Sequence, residues 1–175
     1  ANDLHQHPII VAPLRAIMSR TIPRRDFLKA VKTLKVGQVT QPDELARAWV
    51  ALGYEAVNIV TATGQFSRRG GILDVWPPAE PHPLRVEFFG DEIDTLRRFN
   101  PATQRTSASL EKVLVTPARE YLTTDHQPPP ASLPSVGEFH IPLLHSSPAS
   151  TLDYLPRQGL VLLDDRQAMA DASAG

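Results

Sequence analysis

Between Leu84 and Phe89 the chain alternates in a way that sorts its side chains to two faces of an extended strand. Leu84, Val86 and Phe88 point one way, and Arg85, Glu87 and Phe89 the other. The first set predicts a core face. The second leaves a phenylalanine among charges, where it is either capped, with the Pro77–Pro83 loop as the nearest cover, or open to a partner. Aromatic and arginine side chains are the types that most often carry interface energy. Gly90-Asp91 then separates this strand from Glu92–Phe99. Glycine in the first of two loop positions suits a type II′ hairpin, whose register sets Ile93 opposite Phe88. Upstream, Gln65–Trp76 reads as a strand interrupted at Gly70-Gly71 by a bulge or a close backbone approach. Asn100-Pro101 predicts a turn, and Leu110–Thr116 a further strand ending before Pro117.

Towards the N-terminus, Pro8–Pro13 is a short apolar run of the buried-strand type, and Leu14–Ser19 a short helix that ends before Pro23. Alternation around Lys32–Val36 predicts a strand closed by Gly37. Thr40 as N-cap, Pro42 in the first turn and Asp43 and Glu44 near the positive end predict a helix. It carries Leu45, Trp49 and Leu52 at helical spacing and stops at Gly53. Tyr54–Ala62 is strand-like, and Trp49 and Trp76 are expected in the core. After Glu120 a proline-rich stretch, Tyr121–Gly137, reads as a linker. Order returns at Thr151–Asp165, as a helical turn, a loop and a buried-type strand Gly159–Leu163 ending in Asp164-Asp165. Met169–Gly175 reads as a disordered tail.

The fold class expected is therefore α+β, a compact antiparallel sheet with one or two helices. An apolar strand at each end needs a sheet to join. The two are expected to belong together or to a larger parallel α/β domain of which they are fragments. The boundaries that follow are 1–22 for the first fragment, 23–120 for the α+β module, 121–139 for the linker, 140–168 for the returning strand and 169–175 for the tail.

Composition narrows the chemistry. With 18 basic and 19 acidic residues among 175, the net charge of −1 gives no overall nucleic-acid footprint. The absence of cysteine excludes disulfides and thiolate metal sites and fits a reducing cytoplasm. No apolar run reaches the roughly 20 residues that cross a bilayer, and the polar Ala1–His7 does not read as a signal peptide. A nucleotide-driven motor needs G-x-x-x-x-G-K-[ST] to cradle phosphates; Gly64–Gly71 carries arginines where that loop needs its ending. His5, His7, His126, His140 and His145 lack carboxylates or cysteines at metal-ligand spacing and read as solvated. Asp91, Glu92 and Asp94 read as a solvated hairpin tip before a cation site. No serine has a nucleophile-elbow setting. Catalytic residues, metal and cofactor are thus all expected to be absent.

Several segments together resemble the UvrB-homology region of bacterial transcription-repair coupling factors (Mfd). They are Pro8–Pro13, Val31–Tyr54, GQFSRRGGILDVWPP, LRVEFFGDEIDTLRRFNPATQRT, VTPARE and TLDYLPRQGLVLLDD. The central R-G-G-I-[IL]-D-[IV]-[FW]-P strand and the R-[IV]-E-[FL]-F-G-D-E-[IV] hairpin are shared by coupling factors and UvrB itself, and VTPARE favours the former. The resemblance implies a non-catalytic module that binds UvrA, recruiting nucleotide excision repair to RNA polymerase stalled on damaged DNA in the bacterial cytoplasm. It places the UvrA contacts on Arg69, Arg85 and Phe89, with Arg68, Glu87, Arg97 and Arg98 as a possible periphery. ATP and magnesium would belong only to the motor of a longer parent, an ATP-dependent DNA translocase. Asp164-Asp165 falls where UvrB has its magnesium-binding Asp-Glu, and without a phosphate loop it reads as a vestige. The long helical insertion usual after the equivalent of Glu120 is replaced by the short proline-rich stretch.

Two other readings compete. One is a fragment of a UvrB-type repair helicase, against which the missing phosphate loop argues. The other is a DNA-binding module using Arg68, Arg69, Arg85, Arg97 and Arg98, whose affinity would fall steeply with salt.

Overall fold

The computed structural model describes residues 9–120, 141–144, 147–156, 158–164 and 167. Its centre is a six-stranded sheet in the order β2-β3-β4-β5-β6-β7. The strands are β2 (Glu55–Ala56), β3 (Gln65–Arg69), β4 (Ile72–Val75), β5 (Leu84–Phe89), β6 (Glu92–Phe99) and β7 (Thr106–Leu110). All neighbours run antiparallel except β2, which lies parallel to β3. A two-stranded ribbon, β1 (Lys32–Lys35) with β8 (Lys112–Val115), and helix α3 (Pro42–Ala51) cover one face. Helices α1 (Leu14–Met18) and α2 (Arg24–Ala30) precede them, and α4 (Ile141–Leu144) and a 3₁₀ turn (Thr151–Tyr154) follow. The mixed α+β class expected from the sequence is what the chain adopts.

The core lies between that covered face and its cover. Leu73, Val75, Leu84, Val86, Ile93 and Leu96 of the sheet meet Leu45, Trp49 and Leu52 of the α3 segment and Leu34, Val113 and Val115 of the ribbon. Trp49 is fully enclosed, with Phe66 edge-on at 5.7 Å. Trp76 is half-buried and donates its indole N–H to the Glu80 carbonyl. Tyr54 fastens the end of α3 to the end of β8 by donating its hydroxyl to the Thr116 carbonyl at 2.6 Å.

Much of the patterning is realised directly. The hairpin at Gly90-Asp91 has its turn where expected, with Gly90 at φ +62° and Asp91 outside the left-handed region, the type II′ combination. Ile93 does pair with Phe88, although Asp94 bulges out between that pair and Glu87–Thr95. α1 falls within Leu14–Ser19, and α3 keeps Pro42 in its first turn with Gly53 behind it; Gln41, not Thr40, takes the N-cap position, and without a side-chain cap.

Other expectations are corrected. Gly70-Gly71 is not a bulge within one strand but the two-residue turn between β3 and β4. The close approach anticipated there is present, because a Cβ on Gly71 would lie 3.2 Å from the Phe88 carbonyl oxygen. Tyr54–Ala62 supplies only the short β2, the remainder folding as a loop. The sequence reading passed over α2 and β7. Neither end forms a strand among the described residues: Ile9–Pro13 and Gly159–Leu163 have no ladder partner there, and Ile9, Val11, Leu160 and Leu162 are among the most exposed apolar residues. An extended apolar run needs a neighbouring strand to take its N–H and C=O groups, and no described segment supplies one. The two ends meet elsewhere, through the Thr21–Ala149 bridge, the Tyr154 hydroxyl donating to the Ile22 carbonyl, and Phe27 edge-on to Tyr154 at 6.0 Å. The expected linker, His140, Asp165 and the tail lie outside the described residues; Asp164 is exposed.

Candidate functional site

The other face of the sheet holds the candidate site. Strand alternation and register bring its side chains into rows across the strands. One row reads Ser67, Asp74, Arg85, Arg97 and Ser109; the next reads Arg69, Ile72, Glu87 and Thr95. At the end of the sheet away from the two hairpin tips, Phe99 and Val60 are fully buried, and the Gln104 amide donates to the Pro101 carbonyl. At the tip end the face is open. There Phe89 stands 84% exposed opposite Glu92, so neither the Pro77–Pro83 loop nor any other described segment caps it.

Asp74 organises the middle of this face. It is cross-strand to Arg85 and only 1% exposed. Arg85 closes a two-pronged pair on it, Nε to Oδ1 and Nη2 to Oδ2, both at 2.8 Å. Arg69 adds Nη2 to Oδ2 at 3.1 Å. The Arg85 guanidinium carbon also lies 4.8 Å from the centroid of the Phe99 ring, a cation–π distance. Hydrogen bonding to Asp74 raises the Arg85 pKa above its usual value. Burial opposes this, and the charges of Asp74 and Glu87 reinforce it. Arg85 is thereby a permanent cation built into the sheet, its side chain 14% exposed, whereas that of Arg69 is 52% exposed.

The predicted residues therefore divide. Arg69, Arg85, Phe89, Glu87 and Arg97 share the face; Glu87 accepts the Thr95 hydroxyl at 2.6 Å. Arg68 and Arg98 do not. Register sets them opposite Leu73 and Leu84 on the core side, where Arg68 pairs with Asp43 of α3 and Arg98 with Glu80 at 2.9 Å. Cross-strand geometry splits the arginine group and gives four of its five members a carboxylate partner, so these side chains do not make one basic patch. Asp74 went unremarked in the sequence, although it sits between the core residues Leu73 and Val75 at the one position of β4 where a charge meets Arg85. No group of three or more histidines and carboxylates among the described residues is placed to hold a metal ion, and no described helix is long and apolar enough to cross a membrane.

Comparison with known proteins places this architecture. Residues 33–121, which take in the sheet, α3 and all of the ribbon but Lys32, match the family described as the UvrB interaction domain. The chain is 38% identical over 115 residues, 66% of its length, to a transcription-repair-coupling factor of Bacillus subtilis. It is 40% identical over 124 residues, 71% of its length, to one of Myxococcus xanthus. A UvrABC system protein B of Gloeothece citriformis is 37% identical over 119 residues, 68% of the chain. The matched region spans 10% of each coupling factor and 18% of that UvrABC protein. With the family match running through the strands that carry Arg69, Asp74, Arg85 and Phe89, the chain belongs to the UvrB interaction domain family.

Proposed function

We propose that this chain is a non-catalytic docking module of a transcription-repair coupling factor, and that the open face around Phe89 binds UvrA. The observation that carries the reading is the exposed Phe89 ring at the tip end of a face on which Arg69 and Arg85 are already held in place. A benzyl group in water gains on the order of 2 kcal/mol when a partner covers it, and guanidinium groups beside it orient an approaching carboxylate. In the longer parent, recruitment of UvrA would bring excision repair to RNA polymerase stalled on damaged DNA in the cytoplasm, with ATP and magnesium confined to a motor region. DNA contact through the arginines is the weaker reading, because register turns Arg68 and Arg98 to the opposite side of the sheet, where each pairs with a carboxylate, and the five do not form one basic surface. The test is calorimetric titration of the chain with UvrA, comparing wild type with Phe89→Ala. Weakening by roughly thirtyfold supports the assignment; unchanged affinity removes it. An ATPase assay with damaged DNA should show no turnover by this chain.

A further inference from the structure

We infer that Asp74 and Arg85 form a buried clamp that positions Arg69 to meet the partner's carboxylate. The inference rests on the docking reading above and divides the work within that face. Every side-chain nitrogen of Arg85 is engaged: Nε and Nη2 on Asp74, and Nη1 towards the Gln104 carbonyl at 3.4 Å. One N–H on each Nη is left over, but the ring of Phe99 lies against the group and the side chain is only 14% exposed. Arg69 differs. Only its Nη2 is used, on Asp74, so Nε and Nη1 have no partner among the described residues.

A guanidinium has a fixed planar fork of donors. Holding one Nη on a buried, immobile carboxylate therefore sets the direction of the rest. Asp74 is immobile because Arg85 grips both of its oxygens and the strands around it are paired on either side. Arg69 sits in the last position of β3 before the Gly70-Gly71 turn, at the same end of the sheet as Phe89. Pairing between Gly71 and Phe88 ties the two hairpins together there, the Phe88 N–H donating to the Gly71 carbonyl at 2.8 Å. The partner chemistry that fits is an acidic side chain next to an apolar depression, the first for Arg69 and the second for Phe89. Fixing the arginine beforehand removes rotamer freedom that binding would otherwise have to freeze.

The experiment is a double-mutant cycle on UvrA binding with Arg69→Ala, Asp74→Asn and both together, thermal stability being recorded for each. Arg69→Ala weakens binding about tenfold, the size of one charged hydrogen bond. Asp74→Asn weakens it similarly in the presence of Arg69 and not further in its absence, with the melting temperatures showing each variant folded at the temperature of the titration. Losses that multiply to about a hundredfold in the double variant overturn the clamp. Should Asp74→Asn fail to fold, Asp74→Asn with Arg85→Gln leaves no stranded charge and runs the same cycle. Phe89→Ala separates the failures. If it weakens binding while the cycle is multiplicative, the clamp falls and the docking face stands. If neither Phe89→Ala nor Arg69→Ala changes affinity, both fall.

Discussion

Phe89 and Arg85 are two positions of one strand face apart, yet substitution at each should act on a different quantity. Phe89 has almost all of its ring in water, so Phe89→Ala should leave stability within about 0.5 kcal/mol of wild type in urea denaturation. Arg85 neutralises a carboxylate that is itself only 1% exposed. Removing the guanidinium leaves Asp74 only the single bond from the more exposed Arg69, and Arg85→Ala should cost about 3 kcal/mol of folding stability, seen as a lower urea midpoint at unchanged slope. A binding defect of Arg85→Ala thus needs its folded fraction measured before it says anything of contact. At this scale the sequence was half legible. Alternation alone set Phe89 and Arg85 on the odd face, because period-2 sorting is local. The grip of Asp74 on Arg85 depends on pairing between β4 and β5, and reading Gln65–Trp76 as a single strand hid that register.

Among the elements, helix α3 was the most readable, since its start and stop chemistry lie within its own residues. It ends at Gly53, whose φ of +84° suits the left-handed cap and whose missing Cβ leaves room for the Arg119 side chain, 2.8 Å from where that atom would stand. Gly53→Ala should therefore lose about 1 to 2 kcal/mol from the backbone alone, with crowding against Arg119 added. A thermal melt in which the variant matches wild type would contradict the cap. β7 was hidden for the opposite reason. Thr106–Leu110 is an exposed edge strand with one half-buried residue, so no apolar alternation marks it, and only pairing with β6 makes it a strand. At Ile9–Pro13 and Gly159–Leu163 apolar content suggested strands, but a strand is a relation between segments, and neither of these has a neighbour among the described residues. The short α2 starts behind Pro23 and runs Arg24–Ala30, too brief for its periodicity to stand out.

For the molecule as a whole, Tyr54 is the joint between the layers. It follows α3, lies in the core beside Trp49, and reaches the end of the ribbon by its bond to the Thr116 carbonyl. Burial raises its pKa well above the ordinary phenol value, which fixes a sign. Below pH ~10 the phenol is protonated in both folded and unfolded chains, so it adds no pH dependence. Above that, the unfolded chain releases the proton and the folded chain keeps it, so unfolding becomes easier as pH rises, by up to about 1.4 kcal/mol per pH unit until the folded phenol itself ionises. Tyr54→Phe removes this response along with the hydrogen bond, which contributes about 1 kcal/mol at neutral pH. Urea midpoints between about pH 8 and 12 should show the variant less stable than wild type at the lower end, with the deficit shrinking and then reversing at the upper end. The half-buried tie of Tyr154 to Ile22 is present in both proteins, so its own raised pKa cancels from the difference. Parallel curves across that range would mean that Tyr54 does not stay protonated in the fold, and the joint between sheet, helix and ribbon would then be looser than its hydrogen bond implies.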